Sequence, residues 1–199
     1  MSSFFKPLVS FLFGLFASAY IWIRNDMSDR WIVIFFATIV ANQLIDATHS
    51  LTLNNVNINN YLTIVSFVLF LIHPLINMLG SYTEHKDNMF FEPMILAVTF
   101  ASYMIFKNYR LFGNFKTIYK NGYISTWTEN LTIFDLGAYL VLLLFPMYLY
   151  NPPKNIFMMF SSLFLLLLSY FIDNKGIQNI IPYWHSLMIG LLGANILFF

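Results

Sequence analysis

The sequence predicts an all-α fold, a polytopic membrane helix bundle of about seven transmembrane helices. Of its 199 residues, 59% are hydrophobic and only 10% are charged, whereas a soluble domain has roughly 25% charged residues because water must wet its surface. The apolar residues form long segments separated by charges, asparagine clusters or proline. Segments long enough to cross a bilayer must be helical, because lipid cannot hydrogen-bond to the backbone.

The predicted spans follow these apolar segments and make one transmembrane domain over residues 1–199. They are about 4–23, 31–53, 61–81, 90–106, 131–150, 156–172 and 182–199. The first has a second interpretation, since Lys6, an apolar run and Ala17-Ser18-Ala19 are the pattern of a cleaved signal peptide. The hydrophobic run continues to Arg24, however, which favours a retained helix.

The connection at residues 107–130 is the longest. Its apolar residues recur at the spacing of one helix face: Leu111, Phe112, Phe115, Ile118 and Tyr119. Basic residues flank that face: Arg110, Lys116 and Lys120. This pattern predicts an interfacial helix over 107–121 with its aromatic face among acyl chains. A loop packed on the bundle is the alternative, because Gly113 weakens a helix by about 1 kcal/mol.

The basic residues also bear on orientation. With seven spans, the N-terminal side carries Lys6, Lys107, Arg110, Lys116, Lys120 and Lys175, and the other side carries Arg24, Arg30, Lys86 and Lys154. The positive-inside rule then predicts a cytosolic N-terminus. The two arginines beside the first span, and the glycosylation sequon Asn130-Leu131-Thr132, favour the opposite orientation.

Composition excludes several classes of function. A formal net charge of +1 gives no electrostatic preference for nucleic acid, so the lipid bilayer is the partner that the chain implies. The sequence has no cysteine, which excludes disulfides, thiol nucleophiles and cysteine-bound metals. It also contains no P-loop, G-x-S-x-G or H-E-x-x-H motif.

Polar residues within the predicted spans are candidate functional positions, because such groups are costly in lipid. They are Asn42, Gln43, Asp46 and His49 in the second span, His73 and Asn77 in the third, Asp135 in the fifth and His185 in the seventh. Asn42, Asp46 and His49 share one helix face. That face is expected to turn into the bundle.

Depth along the helices selects four of these residues as a predicted polar cluster: Asp46, His49, Asp135 and His185. At 1.5 Å per residue they lie about 5–10 Å from helix ends on one side of the membrane. His73 lies about 18 Å along its helix and is not expected to join them.

The predicted polar cluster has three interpretations. Two histidines and two carboxylates fit a metal-assisted site, in which His49, His185 and Asp46 would bind zinc. They also fit a proton or ion path. In the structural interpretation, Asp135 forms a helix-capping box with Thr132, and Asp46 and His49 take part in simple hydrogen bonding between helices.

Two stretches of the chain resemble known membrane proteins. Gln43-Leu44-Ile45-Asp46, the asparagine-rich turn after it and the run Ile64–Pro74 resemble small seven-span proteins of unknown function encoded by giant DNA viruses. This resemblance implies a seven-span fold and no particular activity.

The second stretch is Tyr183-Trp184-His185, followed by Gly190 and Gly193. It is similar to the last helix of alkaline ceramidases and related seven-span zinc hydrolases, in which histidines four residues apart bind the metal with a histidine from an earlier helix. His185 matches the second of the paired histidines, and Ile181 occupies the place of the first. The resemblance implies a zinc-dependent hydrolase, with His49 as the earlier ligand.

The sequence is therefore compatible with three alternative functions. The first is a non-enzymatic structural or interaction component of a viral or cellular membrane. The second is a metal-dependent intramembrane hydrolase of a lipid amide, and the third is a small transporter or channel.

Overall fold

The computed structural model describes residues 2–24, 27–85, 91–119, 123–149, 160–169, 184–185 and 187–190. The helices are α1 Ser2–Arg24, α2 Met27–Thr52, α3 Val56–His85, α4 Phe91–Asn108, α5 Thr126–Glu129, α6 Ile133–Leu149 and α7 Phe160–Ser169. Two short strands, β1 Thr117–Tyr119 and β2 Tyr123–Ser125, form an antiparallel pair between α4 and α5. The described residues from 184 to 190 are also helical.

Among the residues that the structure describes, three helices are long and apolar enough to cross a membrane. Their apolar stretches are Phe4–Arg24, Arg30–Thr52 and Val56–Leu79, with 21, 23 and 24 residues, against the roughly 20 that a bilayer core requires. They coincide with the first three predicted spans, and they fit an integral membrane protein. The helices α4, α6, α7 and residues 184–190 overlap the other four predicted spans.

Hydroxyl side chains on the outer helix faces are satisfied within their own helices. Thr48 donates to the Leu44 carbonyl, Thr99 to Ile95 and Ser102 to Val98, each at 2.8 Å. These bonds satisfy the donors of the Thr48, Thr99 and Ser102 hydroxyls. Such faces are therefore compatible with lipid, which offers no hydrogen-bond partner of its own.

The helix α3 is the centre of the described part of the bundle, because it contacts α2, α4 and α6, while α1 packs on α2. The core around α3 is rich in aromatic side chains. Phe70 stacks on Tyr139 of α6 with ring centres 4.3 Å apart, and it also contacts Trp127 of α5 at 4.9 Å. Large apolar side chains such as Phe16 and Phe134 point outward, which suits a surface covered by lipid.

A glycine allows α1 and α2 to approach closely. A methyl group added to Gly14 would lie 2.5 Å from the Val40 Cγ2 atom and 3.4 Å from Ile189 Cγ2. Normal carbon–carbon contacts are about 3.5–4.0 Å. Gly14 therefore brings α1 against both α2 and the helical residues near 189.

The predicted interfacial helix over 107–121 is wrong. The helix α4 ends at Asn108, a 3-10 turn covers Tyr109–Leu111, and the chain then enters β1. Gly113 has a φ of +91°, a backbone conformation that cannot continue a right-handed helix. The alternative, a loop packed on the bundle, describes the structure better, since the Asn60 amide donates to the Gly113 carbonyl at 3.1 Å.

Candidate functional site

Asp135 lies in the first turn of α6 and is almost fully buried. Its Oδ2 atom accepts hydrogen bonds from the Thr132 backbone N–H at 2.6 Å and the Thr132 hydroxyl at 2.7 Å. The Asp135 N–H donates to the Thr132 hydroxyl at 3.3 Å. These reciprocal bonds form a capping box, which satisfies donors that a helix start leaves unpaired.

The same carboxylate binds a cation from another helix. Lys107 Nζ, in the last turn of α4, lies 2.5 Å from Asp135 Oδ2 and also sits 5.8 Å from the centre of the Tyr103 ring. The ion pair links the end of α4 to the start of α6. The Asp135 carboxylate thus has a structural role, because it pairs with Lys107 and caps α6 together with Thr132.

The two cluster members on α2 lie in different surroundings. His49 is buried, and its polar neighbour is the backbone of Asn59. Asp46 is only half-buried, and its carboxylate has no ion-pair or hydrogen-bond partner within the described ranges. In the described part of the chain, neither residue forms a hydrogen bond, an ion pair or a ring contact with His185 or Asp135.

His185 instead meets His73, which corrects the expectation that these residues lie at different depths. Their ring centres are 5.3 Å apart and their planes nearly perpendicular. The number of residues from a helix start gives the depth in the membrane only for a straight helix that stands upright in the bilayer. Spans tilt by about 20° on average, so distance along a helix does not fix the level at which neighbouring helices meet.

Two further aromatic residues complete this arrangement, which we call the His73–His185 centre: His73, Tyr139, Trp184 and His185. The Tyr139 hydroxyl and His73 Nδ1 are hydrogen-bonded at 2.9 Å, and Tyr139 packs edge-on against Trp184. The Trp184 indole N–H donates to the Ser162 carbonyl of α7 at 3.1 Å. All four side chains of the centre are buried, and they connect α3, α6, α7 and the helical residues after 183.

One nitrogen of each histidine has no hydrogen bond. The Nε2 atoms of His73 and His185 are buried without a partner among the residues that the structure describes. Besides Tyr139 and His185, the backbone of Thr38 is a polar neighbour of the His73 ring. A tyrosine on one ring nitrogen fixes the orientation of His73 and leaves its other nitrogen available.

The remaining predicted polar residues link helices or lie in the core. The Asn42 Oδ1 atom accepts a bond from the Ser66 hydroxyl at 3.0 Å, which joins α2 to α3. The Asn77 amide donates to the Leu143 carbonyl, which joins α3 to α6. Gln43 is fully buried on α2.

A second polar network fixes the strands on the start of α3. Asn59 Nδ2 donates to the Thr117 carbonyl at 2.8 Å, and the Thr117 N–H donates to Asn59 Oδ1 at 2.7 Å. The Thr117 hydroxyl bonds to Thr63 and to Ser125, both at 2.8 Å. A side-chain amide thus pairs with the edge of β1 as a neighbouring strand would.

Within the described ranges, no three histidine, aspartate or glutamate side chains lie close enough together to hold a metal ion. The assignment of zinc to His49, His185 and Asp46 stays a prediction. Two members of the His73–His185 centre, Trp184 and Tyr139, were not among the candidate positions predicted from the sequence. Tyr139 had a signal in the sequence, because it lies four residues after Asp135 on the same face of α6.

Comparisons with known proteins give no relatives: no protein-family model, curated protein or solved structure matches the chain. The resemblances to viral seven-span proteins and to alkaline ceramidases therefore stay expectations.

Proposed function

We propose that the chain is a seven-span integral membrane protein that acts without catalysis, as a structural or interaction component of a viral or cellular membrane. Three helices have the length and composition of spans, and four further apolar segments overlap described helices. One observation carries the non-enzymatic part of the proposal: several of the interior polar groups form hydrogen bonds or an ion pair across helices.

The cross-helix bonds involve four of the eight candidate residues: Asn42, His73, Asn77 and Asp135. They are Asn42–Ser66, Asn77–Leu143, His73–Tyr139, Lys107–Asp135 and Trp184–Ser162. Each joins two different helices. Inside a membrane such bonds contribute about 0.6 kcal/mol on average to helix association. Four residues that the sequence alone marks as candidate functional positions therefore link helices in this protein.

The span number and orientation can be tested by cysteine accessibility, for which this chain is suited because it has no native cysteine. Single cysteines are placed at Ser3, Asn25, Asn55, Asp87, Asn114, Lys154 and Asn174. Seven spans with a cytosolic N-terminus predict alternation along that series. A membrane-impermeant maleimide applied from the non-cytosolic side should label the variants at 25, 87 and 154 only. Labelling of two consecutive positions from one side would contradict the proposal.

A metal-dependent hydrolase is the second candidate, because His73 and His185 have adjacent rings and unbonded Nε2 atoms. Two imidazoles on one tetrahedral zinc, with Zn–N bonds of about 2.0–2.1 Å, hold their ring centres about 5 Å apart. A catalytic zinc site takes three protein ligands, however, and the described residues supply two. The donor set therefore does not make a complete zinc site within the described ranges.

Metal analysis of the purified protein separates the two candidates. The structural proposal expects far less than one zinc ion per chain. Stoichiometric zinc that is lost on both His73→Ala and His185→Ala, but kept on His49→Ala, would favour the hydrolase. A transporter receives no comparable support, since His73 is fully buried among rings and Asn77 is bonded to the Leu143 carbonyl.

A further inference from the structure

The last turn of α4, the chain that follows it and β1 expose aromatic and apolar side chains. Phe106 is 75% exposed, Tyr109 55%, Phe112 46% and Ile118 41%. The Phe106 and Tyr109 rings stack on each other at 6.0 Å. Phe106 and Tyr109 lie at the end of α4, a helix that overlaps a predicted span, and the ends of spans are where aromatic belts of membrane proteins lie.

Two cations accompany these rings. Arg110 and Lys116 are exposed. Lys107, in contrast, is engaged by Asp135. In the described part of the connection between α4 and α6, Glu129 is the one exposed acidic side chain. Cations among exposed aromatic residues are typical of surfaces that lie in the headgroup layer of a membrane.

The surface is held in place by the bundle. The Asn60 amide fixes the turn at Gly113, and the Asn59 side chain fixes Thr117. Phe115 is buried between them, in contact with Phe67 of α3. The exposed rings therefore cannot fold into the core without breaking these bonds, and some other apolar medium must cover them.

We infer that Phe106, Tyr109, Arg110, Phe112 and Lys116, the basic aromatic surface, bind anionic phospholipid headgroups. The rings occupy the boundary between headgroups and acyl chains, while the guanidinium and ammonium groups bind lipid phosphate. The inference rests on the proposed membrane function. It assigns this surface to the anionic leaflet, which is cytosolic in cells, in agreement with the orientation expected from charge.

Brominated lipids test this directly. Asn114→Cys, at an exposed position between Gly113 and Phe115, carries an environment-sensitive fluorophore, and the protein is reconstituted in phosphatidylcholine vesicles. Brominated phosphatidylserine or brominated phosphatidylcholine is then titrated in. Each cation near a membrane surface favours anionic lipid about fivefold. We expect half-maximal quenching at a several-fold lower mole fraction of the serine lipid, and a smaller difference at high salt.

Arg110→Gln with Lys116→Gln should abolish the difference between the lipids, while Lys6→Gln, on α1, should keep it. Unchanged thermal unfolding of the double variant would show that its fold is intact. Equal quenching by the two lipids in the parent, or an unchanged preference in the double variant, would overturn the inference. A fluorophore quenched by neither lipid would also overturn it, because the surface would then lie away from the bilayer. The cysteine-accessibility pattern is independent of all these outcomes, so failure here is distinguishable from failure of the proposed function.

Discussion

Gly14→Ala tests the packing of α1 on α2 most sharply. The added methyl group would lie 2.5 Å from Val40 Cγ2, at least 1 Å inside a normal contact of about 3.5–4.0 Å. Val40 cannot turn away easily, because a β-branched side chain in a helix has one strongly preferred rotamer. Overpacking of this kind destabilises a protein by about 1–3 kcal/mol.

Replacing glycine by alanine in a helix has a separate, favourable effect of about 1 kcal/mol. Gly137→Ala is the matched control, because an added methyl group there meets nothing within 4 Å. The expected result is that Gly14→Ala is less stable than Gly137→Ala by about 1–3 kcal/mol. The assay is unfolding of the purified protein in mixed micelles, followed by tryptophan fluorescence as the denaturing detergent is increased.

A double variant shows whether the clash is the cause. Val40→Ala removes the methyl groups that the new side chain would meet, so its effect and that of Gly14→Ala should not add. The pair should be more stable than the sum of the single changes by about 1–3 kcal/mol. Simple additivity, or a Gly14→Ala protein as stable as Gly137→Ala, would refute the close approach of α1 and α2.

Two further predictions concern the connection between α4 and α6. Asp135→Ala removes the capping box and the ion pair with Lys107, and it should lower the free energy of unfolding by about 1–2 kcal/mol. The control Glu129→Ala, at an exposed position, should change that free energy by less than about 0.5 kcal/mol. Equal effects of the two substitutions would contradict the role of Asp135. Asn59→Ala leaves the Thr117 N–H and carbonyl unpaired in the interior, so hydrogen exchange at the Thr117 amide should become faster, by roughly 10–100-fold for a loss of about 1–3 kcal/mol. Asn60→Ala should leave that exchange rate nearly unchanged, and unaltered exchange in Asn59→Ala would contradict the network.

The helices were predictable because lipid restricts the conformations that a membrane-spanning backbone can adopt. The first three spans follow from uninterrupted apolar segments, and the structure places α1, α2 and α3 on them within a few residues. Once the backbone must be satisfied internally, length and hydropathy are sufficient. The same restriction does not apply to the connection after α4, where the helical spacing of apolar residues was misleading.

The strands in that connection had a local signal. Thr117-Ile118-Tyr119 and Tyr123-Ile124-Ser125 are rich in residues that favour strands, and Asn121-Gly122 stands between them, a dipeptide typical of hairpins. The bonds from Asn59 to Thr117 had no local signal, because the partners are 58 positions apart.

The candidate site was predicted less well than the helices. Thr132 and Asp135 have a capping spacing that is local in sequence, and the structure has that capping box. The meeting of His73 with His185 depends on how three helices pack, and no spacing along the chain encodes it. Burial of polar residues in the bundle was predictable from the cost of lipid exposure, whereas their partners were not.

The central claim, that the buried polar residues link helices, is tested most directly by a double-mutant cycle on His73 and Tyr139. Tyr139→Phe removes one hydroxyl, and His73→Phe keeps a ring without nitrogen. Unfolding free energies of the parent, both single variants and the pair give the coupling energy. We predict a favourable coupling of about 0.6 kcal/mol, and not above about 1.7 kcal/mol. A coupling of zero, with stability unchanged in both single variants, would contradict the claim.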